Sequence, residues 1–202
     1  MGKKELSGRK NWQKQSGFKA LQAETNLYDV FEQCFYGTEY KIHKKPKHMK
    51  DLYNSVQLSK EVLQQIYNPN IDFTKTKWGV SPDFAIENTR TKKILFGEIK
   101  RQDGWVEGKK PSAGRGNVHE RCCKLFTPGL LKVYREIGGI DSLDILPFWV
   151  VFEGDITRDP KRNREIAFWF DKYKNNYFMW RPNMTGDDLI KHFELNLKKY
   201  LE

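Results

Sequence analysis

The sequence predicts an α/β protein with a mixed central β-sheet flanked by helices. Three observations lead there. Amphipathic helical spacing opens and closes the chain, and two short β-type runs joined by a polar turn occupy residues 81–100. A continuous apolar run of strand length covers residues 145–154. The 202 residues suit a single domain, 1–202, with a substantial core. An apolar fraction of 38%, with 14% aromatic residues, excludes a chain too polar to fold.

Taken in order, residues 1–20 are polar and carry six basic side chains from Lys3 to Lys19 against Glu5 alone. This segment is either a mobile arm that orders on a polyanion or a solubilising tail. Leu27, Val30, Phe31 and Cys34 place a helix over 24–36. Five lysines and a proline make 41–50 a basic loop, with a solvated connector as the plainer reading. Leu52, Val56, Leu63 and Ile66 mark a second amphipathic helix over 51–67. The β-type runs SPDFAIEN and KKILFGEIK follow, and then a glycine-rich basic loop from Arg101 to Arg115.

Residues 117–137 have helical character, with Pro128 and Gly129 expected to break or kink the helix. The run 145–154 is a central buried strand, and 165–170 and 176–181 are further strands. Thr185 and Asp188 cap a last helix whose apolar face is Leu189, Phe193 and Leu197.

Thirty-six Lys and Arg against 26 Asp and Glu leave a formal charge of +10, which favours polyanions, nucleic acid before acidic membranes. No run of eighteen apolar residues exists and the N-terminus lacks the apolar core of a signal peptide, so membrane spanning and secretion are not expected. Cys34, Cys122 and Cys123 are a poor disulfide framework and fit a reducing cytoplasm. They make no zinc spacing with the four histidines, and no small-molecule cofactor is expected.

The two middle runs carry the chemistry. With residues 89–92 as the turn, Asn88 faces Lys93 and Asp83 falls opposite Glu98. Residues directly opposite on antiparallel strands share a face, with Cβ atoms about 4.5–5.5 Å apart. Lys100, two residues beyond Glu98, points the same way. Two carboxylates that close repel each other unless a cation sits between them. A hard divalent ion such as Mg²⁺ takes one or two carboxylates, waters and phosphate oxygens, and the Ile99 carbonyl could add a ligand. Such an ion serves phosphodiester hydrolysis, with Lys100 holding water or stabilising the developing charge. An ordinary surface salt-bridge cluster is the plainer reading; the Pro82-Asp83 and Glu98-Ile99-Lys100 spacing on a hairpin favours catalysis.

That pattern resembles the PD…(D/E)-x-K signature of the restriction-endonuclease-like nuclease superfamily. The resemblance implies the fold of those enzymes and metal-dependent cleavage leaving a 5′-phosphate and a 3′-hydroxyl. The signature alone leaves restriction, repair and junction resolution open.

Downstream, Gly114-Arg115-Gly116-Asn117-Val118-His119-Glu120-Arg121 opens a helix. Asn117 and Glu120 form a capping box in the plainer reading. In the functional one, Asn117 suits adenine, and Arg115 or Arg121 suits purine edges. Gly116-Asn117-x-x-Glu120-Arg121 resembles the G-N-A-I-E-R segment of the EcoRI-type restriction endonucleases. This implies a bacterial homodimer acting on double-stranded DNA at a palindrome centred on AATT, with four-base 5′ overhangs. Asn117 and Arg121 would read the centre, buttressed by Glu120.

Val118 and His119 replace the family's Ala-Ile, and Arg115 stands where its pattern has a small residue. Arg115 is therefore expected to read a different outer pair, the guanine of C·G. The whole sequence looks like the member of that family whose target is CAATTG, and the motif-level resemblance covers residues 82–121. The 124–140 helix and the following loop are the expected dimer contact. Three other readings stand beside restriction. A repair or junction nuclease would share the metal core; a non-catalytic DNA-binding module would leave the Asp83–Glu98 pairing without a purpose. An RNA-binding protein would need exposed aromatics, and most of those here lie in apolar runs.

Overall fold

The computed structural model describes residues 18, 21–46, 61, 81–101, 118–154 and 160–202. The expected arm before residue 18, the helix over 51–67 (apart from Glu61), residues 47–50 and the glycine-rich loop 102–115 lie outside the described residues.

Among the described residues, five strands form one mixed sheet: β1 (Tyr40–Lys44), β2 (Phe84–Asn88), β3 (Ile94–Arg101), β4 (Phe148–Glu153) and β5 (Tyr177–Trp180), in that spatial order. The first three are antiparallel; β4 runs parallel to β3, and β5 parallel to β4. Helix α1 (residues 21–35) and helix α5 (Gly186–Asn196) cover one face. Helices α2 (Val118–Leu125), α3 (Pro128–Gly138) and α4 (Pro160–Phe170) cover the other.

The periodicities explain this layering. Leu27, Phe31 and Phe35 of α1 meet Leu189 and Phe193 of α5 over Phe84, Ile86, Leu95, Trp149 and Val151. Cys122, Leu125, Tyr134, Ile166 and Phe170 pack against Ala85, Phe96, Phe148, Val150 and Phe152. Strand β4 contributes to both clusters, so both its faces are buried, and its apolar run is unbroken for that reason. It is hydrogen-bonded on both sides, with β3 at the centre of the sheet. The α2–α3 break falls at Thr127 and Pro128, as proline in a first turn requires. The α5 cap also forms, the Thr185 N–H donating to Asp188 Oδ2 at 2.8 Å.

Two expectations are corrected. Residues 165–170, expected as a strand, close helix α4: Ile166 and Phe170 are buried four residues apart while Phe168 faces solvent. That is helical spacing, overridden in the sequence by the β-prone composition of the segment. The basic loop over 41–50 is in part strand β1, with Tyr40 and Ile42 buried and Lys41 exposed. Its lysines belong on an edge strand, where charge discourages further pairing.

The hairpin β2–β3 has the expected register. Phe84 faces Gly97 and Glu87 faces Ile94. Asn88 organises the turn, its Oδ1 accepting the N–H groups of Arg90 (2.9 Å) and Thr91 (3.2 Å). Gly97 has no room for a side chain, since a Cβ there would lie 2.1 Å from the Phe84 ring. Gly97→Ala should therefore cost about 1–3 kcal/mol by overpacking, read as a lower urea midpoint. Because Glu98 is the next residue, the same variant should also shift Glu98 relative to Asp83.

Candidate active site

Asp83 lies one residue before β2, and Glu98 and Lys100 lie within β3. The Asp83 N–H donates to the Gly97 carbonyl at 2.9 Å, one residue out of the ladder that pairs Phe84 with Gly97, and the Asp83 side chain lies beside Glu98 and Lys100. All three side chains are largely withdrawn from water, and Glu98 is only 1% exposed.

The Lys100 ammonium sits among three oxygens. It donates to Asp83 Oδ2 at 3.0 Å, to the Ile99 carbonyl at 3.0 Å and to Glu98 Oε2. The Ile99 N–H donates to the same Asp83 oxygen at 3.1 Å. These three oxygens are the ones that the hairpin argument nominates for a metal. A cation is thus already accommodated by two carboxylates and a carbonyl, and such hard donors suit Mg²⁺ once water and phosphate oxygens complete the shell. Among the described residues no group of three or more His, Cys, Asp or Glu could hold a metal by itself.

Burial and charge set the protonation states. Desolvation pushes Glu98 up to about 7, opposed by Lys100 and reinforced by Asp83. Burial also acts upward on Asp83, but Lys100 and hydrogen bonds from its neighbours outweigh it and hold Asp83 below its ordinary value. For Lys100, burial acts downward and the two carboxylates prevail, so the ammonium stays protonated. The pair is therefore asymmetric, with Asp83 the firmer anion and Glu98 the group that titrates near neutrality.

Of the remaining expected site residues, Arg115, Gly116 and Asn117 lie outside the described residues. Val118, Glu120 and Arg121 fall in the opening turns of α2. Cys122 and Leu125 seat that helix against Ala85 and Phe96, on the sheet face that Glu98 and Lys100 share. Cys122 is buried, Cys34 half-buried and Cys123 exposed.

Tyr28 was not foreseen: its hydroxyl donates to the Asp83 carbonyl at 2.6 Å across 55 residues of sequence. Its place on the inner face of α1, one residue after Leu27, marks it as buried and gives no sign of what the hydroxyl meets.

A mixed sheet clothed by helices, with an antiparallel hairpin that gathers two carboxylates and a lysine, defines a nuclease of the restriction-endonuclease-like class. Comparison with known proteins narrows this. The family described as type II restriction enzyme MunI matches residues 1–202. The type II restriction enzyme MunI of Mycoplasma sp is 69% identical over 202 residues, all of both chains. The crystal structure of MunI restriction endonuclease in complex with cognate DNA is similar with a TM-score of 0.75 and 68% identity, covering 95% of this chain and 98% of that one. The chain belongs to the MunI family of type II restriction enzymes and is a site-specific deoxyribonuclease.

The raised Glu98 value sets a pH dependence. A carboxyl group lifted from 4.5 to about 7 on folding contributes its stability in full below the lower value and loses it as pH rises through the higher one. Asp83, shifted downward from 3.8, acts below this window. In EDTA, the unfolding free energy of the wild type should therefore fall relative to Glu98→Gln between those two Glu98 values. Urea titrations at several pH values test this, and parallel profiles would contradict it.

Proposed function

We propose that this enzyme hydrolyses double-stranded DNA in a Mg²⁺-dependent reaction at the palindrome CAATTG, acting as a homodimer and leaving 5′-phosphate ends with four-base 5′ overhangs. The observation that carries the metal reading is the Lys100 ammonium, seated on the Asp83, Glu98 and Ile99 oxygens. Asp83, Glu98 and the Ile99 carbonyl would hold the ion. When bound, the ion supplies positive charge at the scissile phosphate and acidifies water.

Lys100, kept protonated by the carboxylates, donates to the attacking water or to the phosphate oxygens as negative charge grows on them. Burial of Glu98 keeps bulk water from weakening these interactions. The basic balance of the chain favours binding of the DNA backbone.

Specificity is assigned to the segment that leads into α2. Asn117 and Arg121 read the AATT centre, with Glu120 as their buttress, and Arg115 reads the outer C·G pair. Gly116 and Val118 flank Asn117 in this DNA-contacting segment, and Gly116, with no side chain, lets the backbone approach the bases. The support is the Gly116-Asn117-x-x-Glu120-Arg121 motif, together with the MunI structure, which holds that protein on its cognate DNA. A palindrome cut on both strands calls for two active sites related by a two-fold axis, hence a homodimer.

Digestion of plasmid DNA with and without Mg²⁺, followed by sequencing of the ends, tests the proposal. Discrete fragments cut at CAATTG are expected only with the ion. Asp83→Ala and Glu98→Ala should abolish cleavage, yet bind the site more tightly in EDTA, because each removes a negative charge that repels phosphate. Normal turnover in either variant would refute the assignment of the metal core.

A further inference from the structure

The direction of the Asp83 carboxylate is decided by its backbone. Asp83 sits in a bend ahead of β2, where the regular ladder does not hold it. Its N–H is fixed by the Gly97 carbonyl at 2.9 Å. Its own carbonyl takes two donors, the Tyr28 hydroxyl at 2.6 Å and the Lys45 N–H at 3.1 Å. With the planar peptide groups on both sides of the Asp83 Cα immobilised, φ and ψ are set, and with them the line along which the side chain leaves the chain.

The two donors are themselves built in. Tyr28 is 6% exposed and projects from α1. Lys45 has φ +42°, a left-handed conformation that costs a non-glycine residue about 1–2 kcal/mol, and it is the residue whose N–H reaches Asp83. Glu24, one helical turn before Tyr28, lies 3.5 Å from the Lys45 ammonium and ties the same two segments together. The Lys44 ammonium lies 5.0 Å from the centre of the Tyr28 ring. Helix α1 is thus fastened to the chain around Asp83 at two successive turns.

We propose that Tyr28 is a positioning residue of the nuclease centre: its hydroxyl holds the Asp83 peptide so that the carboxylate meets the Ile99 N–H, Lys100 and the metal in one geometry. This rests on the reading of Asp83 as a metal ligand. Tyr28→Phe is the informative variant. It leaves the ring in the core and beneath Lys44, and removes only the donor, so that the Asp83 carbonyl keeps the Lys45 N–H alone.

The test compares Tyr28→Phe with the wild-type dimer, with Asp83→Ala as a control. Three quantities are measured: steady-state cleavage of a duplex containing the target, the Ca²⁺ concentration that half-saturates specific binding in gel shifts, and the urea midpoint. The loss of one hydrogen bond in the centre should lower kcat roughly three- to tenfold with KM for DNA unchanged. Half-saturation by Ca²⁺ should move to a severalfold higher concentration. A purely structural role would move the urea midpoint alone, so equal kcat and equal Ca²⁺ half-saturation would overturn the proposal. Full cleavage by Asp83→Ala would instead overturn the metal reading, and this proposal with it.

Discussion

Two buried carboxylates side by side on one sheet face repel each other, and the active hairpin depends on how that repulsion is met. Lys100 meets it from within the same strand, by donating to both acids and to the carbonyl between them. In a water-poor setting the charges interact strongly, and an uncompensated one would be costly. The cluster is therefore folded around an internal cation at the place proposed for the divalent ion. The two acids keep Lys100 protonated, while burial, against the pull of Lys100, lifts Glu98 to about 7.

The rest of the fold keeps that cluster in register. Asn88 shapes the turn, Phe84 lies over the bare Gly97, and together they settle which residue faces which. A slip of one position would send one carboxylate to the opposite face. Strand β4 gives β3 a rigid parallel neighbour, with Glu98 beside Val150 and Lys100 beside Phe152. Helices on both faces exclude water from the strands, and α1 reaches the Asp83 backbone through Tyr28. The helix that begins in the expected base-reading segment packs on the face that carries the acids. On the proposed reading, the base-reading segment and the acidic cluster therefore sit over one sheet face.

The hairpin was legible in the sequence because its signals are local: period-two composition, a polar turn and carboxylates whose pairing follows from counting. The Thr185–Asp188 cap and the Pro128 break were legible for the same reason. Strand β1 was obscured because its lysines read as a solvated loop, although Tyr40 and Ile42 alternate inward. The segment 165–170 was misread because its β-prone composition outweighed the helical spacing of Ile166 and Phe170. Tyr28 carried no local signal at all. Its function is defined by a carbonyl 55 residues away, a contact that only the tertiary fold creates.

The measurement that bears most directly on this account is the thermal stability of Lys100→Met, with and without Mg²⁺, at a pH well above the Glu98 value of about 7. If the ammonium is what makes two adjacent anions tolerable, the metal-free variant should lose about 3–5 kcal/mol, the usual cost of removing one partner from a buried ion pair. Mg²⁺ should then raise its melting temperature more than it raises that of the wild type, while the variant remains inactive. A metal-free Lys100→Met protein that melts with the wild type, and responds to Mg²⁺ no more strongly, would contradict the account at its centre.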